Sequence, residues 1–226
     1  MIHTILDTDL YKFTTSYAYI KLFPYALGTF SFKDRDETAY TDEFLRRLKE
    51  AVARLSEVTL TREELEYMTK HCRFLPGVYW EWLFSFRFRP DKIDISLDKD
   101  RHLSIEITDY LYKATLYEVP LLAIVSEIKN QVLGNVADMD DIICKLSEKV
   151  TLSNEHRLSF SEFGTRRRFS FDVQDKVIDC LKQTAHYCTG TSNCHFAMKY
   201  GLKTMGTHPH EWFMFHGAQF GYKHAN

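Results

Sequence analysis

Three times in the last third of the chain, a short apolar run leads into a glycine–threonine pair and then into a helical pattern. His156 to Phe163 enters Gly164-Thr165-Arg166-Arg167-Arg168, and Val173, Val177, Ile178 and Leu181 then recur at helical spacing. Ala185 to Thr189 enters Gly190-Thr191-Ser192-Asn193 ahead of a helix from about His195 to Tyr200. Leu202 to Met205 enters Gly206-Thr207-His208-Pro209 ahead of a helix from His210 onward. One such pair is ordinary turn chemistry. Three at the same point of successive strand–turn–helix units imply parallel strands under helices, with functional groups gathered at the carboxyl ends of the strands. A complete (β/α)₈ barrel takes about 250 residues. The 226 residues here cannot supply one beside their differently patterned first half. The expectation is an incomplete, irregular barrel-like region in an amino-terminal portion of something larger.

The first half reads differently. Phe44, Leu45, Leu48, Val52 and Leu55 have helical spacing, and Thr61-Arg62-Glu63-Glu64 has the form of a capping box, so two surface helices are expected. From Val78 to Tyr117, alternation and β-rich runs predict antiparallel strands over Tyr79–Phe88, Ile93–Leu97 and His102–Tyr117. A buried helix is expected over Leu121–Val132 and a more polar one over about Asp138–Lys149. The fold class is α/β: an open N-terminal α/β (α+β) domain, residues 1–119, packed on residues 120–226, a helical connection and the first βα units of the incomplete barrel.

Composition narrows the partners. A net charge of −2 gives no global attraction to nucleic acid or anionic membrane. No apolar run approaches the roughly 20 residues that span a bilayer, and Met1-Ile2-His3-Thr4 does not open a signal peptide. The expected setting is the cytoplasm, without nucleic-acid or membrane partners. The 5 cysteines have no CxxC spacing and read as reduced core thiols.

Candidate chemistry lies in the glycine–threonine turns. Arg166, Arg167 and Arg168 sit at a strand-to-helix turn, where guanidinium groups and free backbone N–H groups suit an anion. Phe163, just before them, offers a face to a flat ligand. His210-Glu211-Trp212 opens a helix, where the dipole favours a neutral imidazole and hence a nucleophilic nitrogen, and Glu211 could orient a ring or bind Mg²⁺. Asp7 to Lys12, followed by Phe13, Tyr17, Tyr19 and Phe23, reads as a capped amphipathic helix with a core aromatic stripe.

The chain resembles the nicotinate phosphoribosyltransferases, through Leu6-Asp7-Thr8-Asp9-Leu10-Tyr11-Lys12, Tyr117-Glu118-Val119-Pro120-Leu121-Leu122-Ala123, Glu162-Phe163-Gly164-Thr165-Arg166-Arg167-Arg168-Phe169-Ser170, Gly190-Thr191-Ser192-Asn193 and Gly206-Thr207-His208-Pro209-His210-Glu211-Trp212-Phe213. The resemblance implies an enzyme that joins nicotinate to 5-phosphoribosyl 1-pyrophosphate for NAD biosynthesis, with ATP as co-substrate and Mg²⁺. It implies that His210 is phosphorylated by ATP, with Glu211 in support. Arg166 would belong to the nicotinate and phosphate pocket, Phe163 would stack on the pyridine ring, and Tyr11 would cover the other face from the neighbouring subunit of a homodimer. Thr191, Ser192 and Asn193 would lie on the rim. It further implies ribose- and 5′-phosphate-binding segments after Asn226, without which turnover is not expected. His208 is an extra histidine in the motif and a second candidate for phosphorylation.

Three other readings stay open: a nicotinamide-specific relative, a non-catalytic remnant that binds a partner or dimerises, and a metal hydrolase built from His208, His210, His216 and His224.

Overall fold

The computed structural model describes residues 1–34 and 38–224. Helix α1 (Leu10–Leu22) opens the fold and leads to strand β1 (Leu27–Ser31). Helices α2 (Asp42–Ala53), α3 (Arg62–His71) and α4 (Gly77–Ser85) follow. Strands β2 (Ile93–Leu97) and β3 (Leu103–Tyr110) then complete an antiparallel sheet in the order β1-β3-β2. The central strand buries Leu103, Ile105, Ile107 and Asp109 on one face, and Ile107 pairs with both Phe30 and Ile93. That alternation is the period-2 signature of a sheet packed on one side.

The expected capping box is present: the Thr61 hydroxyl accepts from Glu64 N, and the Glu64 carboxylate accepts from Thr61 N. The two helices read as surface elements contribute Phe44, Leu48, Val52, Leu65 and Met68 to the core. The expected strand over Tyr79–Phe88 is instead α4. Its buried side chains, Tyr79, Trp80 and Leu83, follow helical spacing, and Trp80 packs edge-on to Phe13 at 5.6 Å. Aromatic β-propensity was overridden by tertiary packing. The strand expected over His102–Tyr117 ends at Tyr110, where the chain coils into α5 (Leu111–Ala114) and a 3₁₀ turn. Strand β1 had no counterpart among the expected elements; it forms because β3 offers it a partner from Glu106 to Tyr110.

Helix α6 (Glu118–Val132) runs unbroken across the expected boundary between residues 119 and 120, with Pro120 in its first turn, where no helical N–H is lost. Its Leu121, Ile124, Val125 and Ile128 share one core with α2 and α4. Helix α7 (Met139–His156) extends past the expected end at Lys149, so the strand expected from His156 shrinks to β4 (Phe160–Glu162). Helix α8 (Phe171–Thr184), β5 (Cys188–Thr191) and α9 (Cys194–Tyr200) follow as expected in kind. Strands β4 and β5 are parallel. The third expected strand, Leu202–Met205, is a single parallel bridge from Thr191 to Thr204, after which α10 (His210–Phe220) begins. The described residues form a mixed α/β fold with no closed barrel.

Of the cysteines, only Cys72 and Cys194 are core thiols; Cys144 is exposed, and Cys180 and Cys188 are half-buried. Among the described residues, no helix is long and apolar enough to cross a membrane.

Candidate active site

The site assembles where the N-terminal segment lies across the glycine–threonine loops. Asp9 and Asn193 form an antiparallel bridge, Leu10 N donates to Ser192 O at 2.8 Å, and Cys194 N donates to Thr8 O at 3.1 Å. These backbone bonds bring the start of α1 against the ends of β4 and β5. From the other side, α6 pins the arginine loop: Ser126 Oγ donates to Arg168 O at 2.8 Å and Asn130 Nδ2 to Phe169 O at 3.2 Å.

The three arginines have three environments. Arg168 is fully buried and donates through both terminal nitrogens to Asp7, at 2.7 and 2.8 Å. It is therefore structural, contrary to the expectation of an anion site made by all three. Arg167 is exposed. Arg166 alone lines the cavity, its Nη1 donating to Glu118 at 3.1 Å and its Nε lying 3.7 Å from Asp9.

The expected rim residues are not on a rim. Thr191, Ser192 and Asn193 are each 0% exposed. The Thr191 hydroxyl donates to Glu162 at 2.6 Å, Ser192 to Asp9 at 2.6 Å, and Asn193 Nδ2 to Asp7 at 2.8 Å and to Thr165 at 3.1 Å. The Asn193 carbonyl also caps α9 by accepting from Phe196 N. These residues hold the loops together from beneath, because a strand end buried under another segment must have its polar groups satisfied internally.

A cavity of about 130 Å³ opens above this scaffold, lined by Tyr11, Lys12, Glu118, Arg166, His210 and Glu211 together with the loop before α10. On its wall lies Lys12, 1% exposed, whose ammonium donates to Glu118, to Glu211 at 2.7 Å and to the Thr115 hydroxyl at 3.4 Å. Burial acts to lower the Lys12 pKa, but the Glu211 and Glu118 carboxylates outweigh it and hold the ammonium above its usual range. Burial likewise works against the Glu118 carboxylate, and Lys12 and then Arg166 overcome it, so this carboxyl lies below its usual range. Asp9 goes the other way: burial raises it more than Ser192 and Arg166 lower it. It sits at the N-cap of α1 without a side-chain cap bond, its carboxylate being turned to Ser192 instead.

His210 and Glu211 occupy the first turn of α10, His210 exposed at the cavity wall and Glu211 tied inward by Lys12 and by Thr115 at 3.1 Å. His208, the second candidate, is exposed on the same wall. Tyr11 is 4% exposed and lies on its own chain's cavity wall, its ring centroid 5.2 Å from the Lys12 ammonium; the resemblance had implied donation from a neighbour. Burial, with Glu118 and Asp9, pushes its phenol up to about 12. Phe163 is 41% exposed, pairs with no aromatic ring among the described residues and is not among the residues that line this cavity.

Of the histidines proposed for a metal hydrolase, His208, His210 and His216 do not converge among the described residues. Among the described residues the one group with metal-ligand spacing is Asp98, Asp100 and His102, at the turn between β2 and β3. His216 Nδ1 instead lies 2.8 Å from Trp212 O within α10, and the His224 side chain is outside the described residues. Lys12, Glu118 and Asp9 had no assigned role in the sequence reading, although all three stand inside motifs singled out there. A lysine and a glutamate 106 positions apart signal nothing by spacing, and only the fold joins them.

Loops that follow parallel strands and bring an arginine, buried carboxylates and a histidine at a helix start around one cavity belong to α/β enzymes that handle anionic substrates. Comparison with known proteins narrows that class. The model described as the nicotinate phosphoribosyltransferase (NAPRTase) N-terminal domain matches residues 6–126, and the one described as the NAPRTase family matches residues 158–225. The chain belongs to the nicotinate phosphoribosyltransferase family. It is 40% identical to the nicotinate phosphoribosyltransferase of Chromohalobacter salexigens, over all of this chain and 58% of that protein. Against the crystal structure of nicotinate phosphoribosyltransferase from Porphyromonas gingivalis, the TM-score is 0.97 at 46% identity, covering all of this chain and 58% of the other. The corresponding structure from Vibrio cholerae gives 0.89 at 29% identity, with 100% and 56% covered. The chain thus spans a little under three fifths of the relatives it matches.

Proposed function

We propose that the chain contributes to a nicotinate phosphoribosyltransferase that joins nicotinate to 5-phosphoribosyl 1-pyrophosphate, releasing pyrophosphate, with ATP hydrolysis coupled through a phosphohistidine at His210. The observation that carries this reading is the single cavity on which Arg166 and His210 both open.

In the transfer step the pyridine nitrogen attacks the anomeric carbon and pyrophosphate leaves through an oxocarbenium-like state, so the protein's main tasks are positioning and charge stabilisation. Arg166 suits the nicotinate carboxylate. Its Nε and Nη1 are engaged by Asp9 and Glu118, and its Nη2 makes no hydrogen bond with the described residues. Phe163 and Tyr11 are the candidates for the ring's two faces. In the coupling step an imidazole nitrogen of His210 takes the terminal phosphoryl group of ATP as ADP leaves, and water later releases it as phosphate. Glu211, locked by Lys12 and Thr115, fixes the start of α10 on which His210 stands.

One oxygen on this wall is a candidate ligand for Mg²⁺, a cation usually held by one or two carboxylates together with substrate phosphates. Glu211 Oε1 is buried without a hydrogen-bond partner among the described residues, so it is the carboxylate oxygen on this wall able to take a cation. When bound, Mg²⁺ would neutralise phosphate charge.

The reading extends to architecture. The parallel pair β4–β5 and the bridge to Thr204 support the start of an irregular barrel, and the two family models support a division into an N-terminal α/β domain and a barrel-like region. A homodimer is proposed from the family alone.

Intact-mass measurement after incubation with Mg-ATP tests the coupling step. The expected result is one acid-labile phosphate, lost in His210→Ala and kept in His208→Ala. The reverse pattern moves the acceptor to His208, and no phosphate on the wild-type chain overturns autophosphorylation here.

A further inference from the structure

Three carboxylates and two cations make one ion network beside the cavity: Asp9 and Glu118 face Arg166, while Glu118 and Glu211 face Lys12. Glu118 is the shared member, with Oε2 on Lys12 and Oε1 on Arg166. Without Lys12, both neighbouring carboxylates would act on Arg166 alone, and the guanidinium would be over-neutralised. With Lys12 in place, Glu118 divides its charge between two cations, and Arg166 keeps positive charge for an incoming anion. Lys12 itself is 1% exposed, so its charge acts through Glu118 in a desolvated setting where screening is weak.

We infer that Lys12 is a positioning residue that sets the preference for a ring bearing a carboxylate over the corresponding amide, by competing with Arg166 for Glu118. The inference rests on the reading of Arg166 as the nicotinate-binding residue. An uncharged amide gains little from a cationic guanidinium, whereas a carboxylate gains a charge-assisted bond, so a change in the field at Arg166 moves the two ligands differently.

Calorimetry of the chain with nicotinate and with nicotinamide, for wild type, Lys12→Met and the Lys12→Met/Glu118→Gln double variant, tests this. Methionine keeps the bulk of the side chain and removes its charge. The expected result is a fall of about tenfold in the acid-to-amide affinity ratio in Lys12→Met, equivalent to one decade in an equilibrium constant, and recovery of the ratio in the double variant, where the excess carboxylate is gone. Equal weakening of both ligands, an unchanged ratio, or no recovery would mean that Lys12 acts through packing and would overturn the inference. Should Lys12→Met not fold, Glu118→Gln alone is expected to raise the ratio, and an unchanged or lower ratio overturns the inference. Should wild type bind neither ligand, the nicotinate reading fails by itself. The lysine is then judged without ligand, from hydrogen exchange of the Arg166 guanidinium followed by NMR. Slower exchange in Lys12→Met, as Glu118 turns wholly to Arg166, supports the competition; unchanged exchange overturns it.

Discussion

Single residues in this site owe their roles to burial. Arg166 and Arg168 are two positions apart, yet one has side-chain exposure of 35% and faces the cavity, while the other is 1% exposed and closed on Asp7. Removing one partner of a buried pair leaves the other charge unpaired, which costs far more than an exposed pair contributes. Arg168→Met is therefore expected to lower unfolding stability by about 3–5 kcal/mol in chemical denaturation, with loss of the Asp7–Asn193 contact as well. Arg167→Met should stay within about 0.5 kcal/mol of wild type. The Arg-Arg-Arg run was legible as a cationic turn, but which arginine meets solvent, cavity or core was not. That distribution depends on Asp7, 161 positions away from Arg168.

At the scale of elements, local signals held where they were self-contained. The Thr61 capping box and the helical spacing after it could be read directly because every partner lies within one turn. The aromatic run of α4 could not, because its side chains are decided by what Phe13, Tyr17 and Tyr112 present to them. Gly190 is a different case, with a local cause and a tertiary consequence. Its φ is +149°, and a Cβ there would lie 2.1 Å from Lys203 O, the carbonyl that accepts from Thr191 N. No side chain fits between β5 and the segment leading to His210. Gly190→Ala is expected to cost at least about 1–3 kcal/mol from backbone strain alone, measured by denaturant midpoint. It should also reduce phosphorylation of the chain by Mg-ATP, since the approach to α10 would shift.

For the molecule as a whole, the Lys12–Glu118–Glu211 network ties α1, α6 and α10 together through charge, and its contribution to stability depends on pH. The folded state holds Glu118 below its ordinary 4.5, so that stabilisation is fully present above about pH 4.5 and is lost as pH falls through the lower folded value. Lys12 is held above its ordinary 10.5, so its share is fully present below about pH 10.5 and lost as pH rises through the higher folded value. Asp9, raised by burial, opposes the acid limb: it favours the folded state most below its ordinary 3.8 and less as pH rises through its folded value. The stability difference between wild type and Lys12→Met is expected to form a plateau between the two limits and to shrink outside them, as followed by thermal melts across pH. A difference independent of pH would assign Lys12 to packing. The sequence by itself determined the α/β class, the starts of α3, α7 and α10, the glycine–threonine loops and the motifs that carry the family, because turn chemistry, caps and hydrophobic period act over a few neighbouring residues. Only the tertiary structure decided that α4 is a helix, that Thr191, Ser192 and Asn193 lie beneath the site, and that Lys12 stands between two glutamates, because burial and charge pairing join residues that the chain order keeps far apart.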